Sequence, residues 1–212
     1  RASYPIKYIL NNLDKEDKLQ KFDFLIYLMG FSQNAGGVHM TVDMVNYLVI
    51  NNINCNILYG FFNEYNEILL FNPIHTSDIE KFTFKYLVST IYLSTFYVKK
   101  LADQYNVPLL YFAQGYEPYF ENGHEYGIAE LSYKLADHIL TISDYLKRRY
   151  KEMFNVDSTV ISNGINYDLI HKKNTNKKIK TITLVLRDNY LKGDFILLDI
   201  LKRIINDYKD LE

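Results

Sequence analysis

The run FDFLIYLM, from Phe22 to Met29, is apolar apart from Asp23. A strand with one wet face alternates apolar and polar residues, so a run without that alternation is covered on both faces. Such a strand belongs in a parallel sheet with helices above and below it. Parallel neighbours cannot be joined by a tight turn, so the connections must carry helices.

The remainder of the chain meets that demand. After the run comes FSQNAGGVHM, and then apolar residues recur at Val38, Val42, Val45 and Val49, with Met44 and Leu48 beside them. This spacing predicts a helix with one buried face. CNILYG (Cys55 to Gly60) reads as a second strand, and Phe61 to Phe84 shows no clear period. KYLVST (Lys85 to Thr90) reads as a strand and Tyr92 to Tyr105 as a helix, stopped by Asn106 and Pro108. PLLYFA (Pro108 to Ala113) is then a strand and GYEPYFENGHEYG a loop. Ile128 to Ala136 is a helix and HILTIS (His138 to Ser143) a strand. Ser143 is a good N-cap for a helix from Asp144 to Phe154, and STVIS (Ser158 to Ser162) is the next strand. Alternation of this kind predicts an α/β class with a mostly parallel sheet.

A seam follows. NGINYDLIHKKNTNKKIK, residues 163–180, is polar and basic and reads as a linker. TITLVL (Thr181 to Leu186) opens a new strand, and Phe195 to Tyr208 an amphipathic helix. One strand and one helix cannot bury a core by themselves. The expected organisation is therefore an N-terminal domain over residues 1–162, a linker over 163–180, and the start of a second, truncated α/β domain over 181–212. The chain opens RASYPIK, with no initiator Met and no signal-peptide apolar stretch, and is expected to be a fragment or a processed product.

Composition narrows the function. A net charge of −1 gives no bulk attraction to nucleic acid, so none is expected as a partner. The single cysteine, Cys55, cannot form an internal disulfide, which fits a reducing, cytoplasmic setting. No apolar run reaches the roughly 18 residues of a membrane span. Twenty tyrosines, with many Asn, Lys and Ile, read as compositional drift and are given no functional weight.

Three stretches carry chemistry. SQNAGG lies where the first strand ends and the first helix starts, and ligands of open parallel sheets bind at such ends. Gly36 and Gly37 let the backbone approach a ligand, and the helix N-terminus favours an anion. The pattern is not GxGxxG, so a dinucleotide fingerprint is absent and a dehydrogenase is disfavoured. His39 follows the glycines and is expected to face the same cleft. YFAQGYEPYF sets Gln114 and Glu117 among aromatic rings, a combination suited to a sugar or polyol. LVLRDNYLKGDF places Arg187 at a strand end and Lys192 and Gly193 at a helix start, which suits a diphosphate. The ordinary readings of these stretches are a tight turn, a tyrosine-capped surface loop and surface charge. His75, His124 and His138 are as readily surface or core histidines, and none forms a metal set with Cys55.

The order of these pieces resembles the GT-B glycosyltransferases of family 4. Members have a glycine-rich turn after the first strand, a block similar to ADHILTISDYLKRRY, and a P-NG-(V/I)-(D/N) element joining the domains, here VISNGINYD. Their second domain opens with a strand ending GR and then KG, here LVLRDNYLKGDF. YFAQGYEPYF and YGIAELSY further resemble a branch that includes rhamnan-type rhamnosyltransferases. Leu186 stands where the family's GR has its Gly, Gln114 stands near a position that many members fill with His, and the second-domain E-x7-E is not seen. Glu117 and Glu125 share that spacing but fall in the wrong domain.

The resemblance implies a GT-B fold with a Rossmann-like first domain. It implies a retaining hexosyltransferase, acting in polysaccharide biosynthesis, that moves a sugar from a nucleotide-diphosphate donor to a glycan or lipid-linked acceptor. Arg187, Lys192 and Gly193 would hold the donor diphosphate, Gln114 and Glu117 would be catalytic, and Gly36, Gly37 and His39 would line the acceptor cleft. Asn163 and Gly164 would sit between the domains. There is no Asp-x-Asp, so no metal and no cofactor beyond the donor substrate is expected. Peripheral contact with the inner face of the membrane, through the KKNTNKKIK run, is an expectation of the family alone. A sugar-nucleotide epimerase of the same architecture and a non-catalytic sugar- or nucleotide-binding domain are the rival readings. The fragment by itself is expected to be inactive.

Overall fold

The computed structural model describes residues 20–32, 35–62, 65–119, 126–164, 184 and 193–208. The chain divides into two compact units, Arg1–Ile165 and Asn166–Glu212.

In the first unit, β1 (Gln20–Phe31) leads to α1 (Gly36–Ile50), β2 (Cys55–Phe62) and the two-residue β3 (Ile74–His75). A short 3-10 turn (Thr76–Lys81) leads to β4 (Phe82–Ser89), α2 (Tyr92–Tyr105) and β5 (Leu109–Ala113). Then come α3 (Tyr126–Leu135), β6 (His138–Thr141), α4 (Asp144–Phe154) and β7 (Ser158–Val160). The strands form one seven-stranded sheet in the order β3-β2-β1-β4-β5-β6-β7, and every pairing is parallel. The sheet therefore grows outward in both directions from β1 and β4. This is the doubly wound, Rossmann-like arrangement with its switch point between those two strands.

Consecutive residues of β1 show why the apolar run is needed. Leu25 and Tyr27 join one buried cluster with Val98, Leu101 and Ala102 of α2. Ile26 and Leu28 join another with Val38, Val42, Val45 and Val49 of α1. So α1 and α2 cover opposite faces of the same strand, and burying each such aliphatic side chain contributes roughly 1.5–3 kcal/mol. A third cluster gathers Tyr111 and Ile139 of the sheet with Tyr133 of α3 and Tyr150 and Phe154 of α4.

Helix ends obey local rules. Ser143 accepts a hydrogen bond from Leu146 N and caps α4. Asn106 and Asn155 terminate α2 and α4 in the left-handed region, at φ 51° and 54°. Asparagine is the residue after glycine that best tolerates that conformation.

The stretch from Phe61 to Phe84 differs most from expectation. It contains β3, the 3-10 turn and the first residues of β4, which starts at Phe82 and not Lys85. A two-residue strand is too short to show a period. The preceding loop is held instead by buried asparagines: Asn46 of α1 donates to Ile68 O and accepts from Leu70 N, and Asn56 of β2 donates to Asn72 O. Side-chain amides thus satisfy a backbone that has no ladder of its own.

In the second unit, α5 (Asp194–Asp207) matches the expected helix to within a residue at each end. Its N-cap is Gly193 at φ 74°, a left-handed conformation that glycine adopts at no steric cost. The expected strand at 181–186 lies outside the described residues except for Leu184. Among the described residues no helix is long and apolar enough to cross a membrane.

Candidate functional site

At the switch point the loops after β1, β4 and β5 converge at the carboxyl ends of the strands, where open α/β sheets bind ligands. Thr90, just past β4, donates its hydroxyl to Tyr27 O of β1 at 2.9 Å and ties the two central strand ends together. Helix α1 begins beside them. Its N-cap Ala35 makes no side-chain cap hydrogen bond and its first turn holds no acidic residue. The partial positive charge of that helix end is therefore not offset by its own first turn.

Gly36 and Gly37 open α1, and the two differ in surroundings. Among the described residues a Cβ on Gly36 would meet nothing within 4 Å, whereas one on Gly37 would lie 3.3 Å from Gln114 Oε1. Gln114, the residue after β5, directs its Nε2 to Gly37 O and to Thr41 Oγ1, each at 3.4 Å. The fold thus brings together two sequence candidates 77 positions apart and adds Thr41, which sequence spacing alone did not single out.

His39 turns toward the segment after β2. Its Nδ1 lies 3.1 Å from Glu67 Oε1 and 3.3 Å from the Tyr65 hydroxyl. The hydroxyl pKa of Tyr65 is pushed up, first by burial and then by Glu67. Asp43, one turn further along α1, has its carboxyl pKa raised by burial and by Glu67. The His39–Tyr65–Glu67 grouping was not legible in the sequence, because Tyr65 and Glu67 belong to the segment without a period.

Glu117 sits elsewhere than its polarity would suggest. It is 3% exposed, and both carboxylate oxygens are engaged. Oε1 accepts from Tyr92 N, the first residue of α2, at 3.1 Å. Oε2 accepts from the Tyr111 hydroxyl and, at 3.1 Å, from that of Tyr133. Burial pushes the carboxyl pKa up to about 7, against the opposing pull of its three donors. Tyr111 is held well above the usual phenol range by its own burial and by Glu117. Nearby, the Tyr150 hydroxyl donates to Gly115 O at 2.7 Å. The loop that carries Gln114 is thereby pinned from below by Glu117 and by tyrosines of β5, α3 and α4. Tyrosines regarded as compositional drift are thus structural parts of the site. The signal that could have found them is their place on the buried faces of β5, α3 and α4.

Asn163 and Gly164 come after β7 and are exposed. Gly193 caps α5 in the second unit. Arg187 and Lys192 lie outside the described residues.

No protein-family model matches the sequence, and no curated protein matches it. Among solved structures, a lipopolysaccharide outer core galactosyltransferase, WaaB in its apo form, is similar to this chain with a TM-score of 0.49 and 12% sequence identity. The match covers 84% of this chain and 57% of that one, so the chain spans little more than half of that neighbour's length.

Proposed function

We propose that the chain is the acceptor-side portion, with the beginning of the donor side, of a GT-B glycosyltransferase. The enzyme moves a sugar from a nucleotide-diphosphate donor to a glycan or lipid-linked hydroxyl with retention. One observation carries the reading. At the switch point of a doubly wound sheet, Gln114 closes on Gly37 at 3.4 Å, joining two loops whose sequences resemble family 4.

The chemistry is set by charge. As the glycosidic bond breaks, the leaving nucleotide diphosphate gains negative charge, and preorganised cations stabilise it. Arg187, Lys192 and Gly193 are assigned to that task by their motif. The open end of α1 at Gly36 and Gly37 adds a favourable dipole. Gln114, an amide with donors and an acceptor on the cleft side of its loop, is assigned to substrate. Glu117 is assigned to positioning, because its carboxylate is spent on Tyr92 N, Tyr111 and Tyr133.

Calorimetric titration of the full-length parent protein with UDP, GDP and dTDP tests the reading. One nucleotide is expected to bind. Arg187→Ala is expected to slow transfer by about 10²-fold, the loss of one charge-stabilising contact worth about 3 kcal/mol. A folded parent protein that binds none of the three would sink the proposal.

A further inference from the structure

Beyond the cleft, the same end of the sheet carries a second built feature, at the far end of the loop after β5. Tyr116 is buried, and its ring stacks over Tyr150 and Phe154, each at 6.3 Å between centroids. Tyr119 meets Tyr116 edge-on at 4.6 Å yet is 52% exposed. Arg149, on α4, lies with Cζ 5.0 Å over the Tyr116 ring and donates from Nη2 to the Tyr119 hydroxyl at 3.1 Å. Tyr145, one turn earlier on α4 and so on the same helix face, is 54% exposed.

Three properties of this cluster bear on its ligand. Tyr116 is backed by the core and holds the Tyr119 ring edge-on, so Tyr119 has little conformational freedom to lose on binding. Tyr119 is fixed through its hydroxyl by a guanidinium that has five N–H donors in all. Among the described residues its Nη2 is given to the Tyr119 hydroxyl and its Nε is buried without a partner, so the donors that a ligand can meet are those at the Nη end of this half-buried side chain. An aromatic face beside guanidinium N–H donors matches a pyranose, which offers a C–H face for stacking and a rim of hydroxyl oxygens as acceptors. A phosphate would draw on several cations and gain nothing from the rings.

We infer that Tyr119, Tyr145 and Arg149 form a subsite for one pyranose ring of the acceptor glycan. The inference rests on the glycosyltransferase reading for the word acceptor, and on the cluster itself for the sugar. Sugar binding here involves no bond making, so the subsite contributes to acceptor affinity and register alone.

Saturation-transfer NMR on the full chain tests it, with the methyl glycosides of glucose, galactose and rhamnose as probes and uridine as the alternative stacking ligand. Transfer is expected to the C–H protons of at least one glycoside. It should fall about threefold or more in Tyr119→Ala, the size of one aromatic contact. Tyr119→Phe should keep most of it, while Arg149→Lys, which loses the fork, should lower it. Circular dichroism establishes that each variant is folded. No transfer to any glycoside, equal transfer in folded Tyr119→Ala, or a response to uridine in place of the glycosides would overturn the subsite. Nucleotide titration separates the two readings. A protein that binds nucleotide but no glycoside refutes the subsite alone. Glycoside binding through Tyr119, with no nucleotide bound by the full-length parent protein, upholds the subsite and refutes the transferase.

Discussion

Glu117 is buried at a place where its charge is expensive, and three donors do not fully offset that cost. Its carboxyl pKa stands at about 7, against an ordinary value of 4.5. The folded chain therefore holds this proton over a pH range in which the unfolded chain has lost it. The stability from this group is complete below pH 4.5 and is lost as pH rises through about 7. The difference is worth roughly 3 kcal/mol. Chemical denaturation between pH 4.5 and about 8 should show stability falling across that window, and Glu117→Gln, which stays neutral, should flatten the fall. A wild-type profile that rises or stays level would contradict this account of the burial. The glycine pair offers a second residue-scale test. Gly36→Ala meets no described residue within 4 Å and should be neutral or slightly stabilising, by up to about 1 kcal/mol from helix propensity. Gly37→Ala puts a methyl 3.3 Å from Gln114 Oε1. It should shift the side-chain amide resonance of Gln114, which Gly36→Ala should leave in place.

At the scale of elements, α4 isolates the value of a cap. Ser143→Ala removes the acceptor for Leu146 N and should destabilise the chain by about 1 kcal/mol, read by thermal or denaturant melts. Leu25→Ala, in the fully buried centre of β1, should cost about 3 kcal/mol or more. If the two cost the same, the central strand would not be the core element described. The contrast also explains which elements were legible in advance. The spans of α2 and α4 were readable because their limits are local: an apolar period, the serine cap before α4, and an asparagine able to turn left-handed after each. The span of β3 was not, since its two residues owe their position to pairing with Leu58 and Tyr59. The buried asparagines that hold the loop before it look like any loop asparagine in the sequence.

For the whole molecule, residues 1–165 contain the entire seven-stranded sheet and its three core clusters. Expressed alone they should unfold in one cooperative transition, and a broad, non-cooperative melt would show that they depend on residues 166–212. The α/β class and the parallel sheet were determined by the sequence itself, because a strand apolar on both sides can be satisfied in few other ways. Local rules also set the serine cap of α4 and the left-handed asparagines that end α2 and α4. Which loops meet was a tertiary matter. Gln114 and Gly37 come together only because β5 and β1 lie on either side of β4, an order that depends on long-range pairing and leaves no periodic trace. Glu117 read as a cleft carboxylate from its polar, aromatic neighbourhood, and became a buried anchor through Tyr92, Tyr111 and Tyr133, which come from three separate elements. Polarity is a property of a residue and legible in one dimension. Burial is a property of everything packed around it, and only the folded chain supplies that.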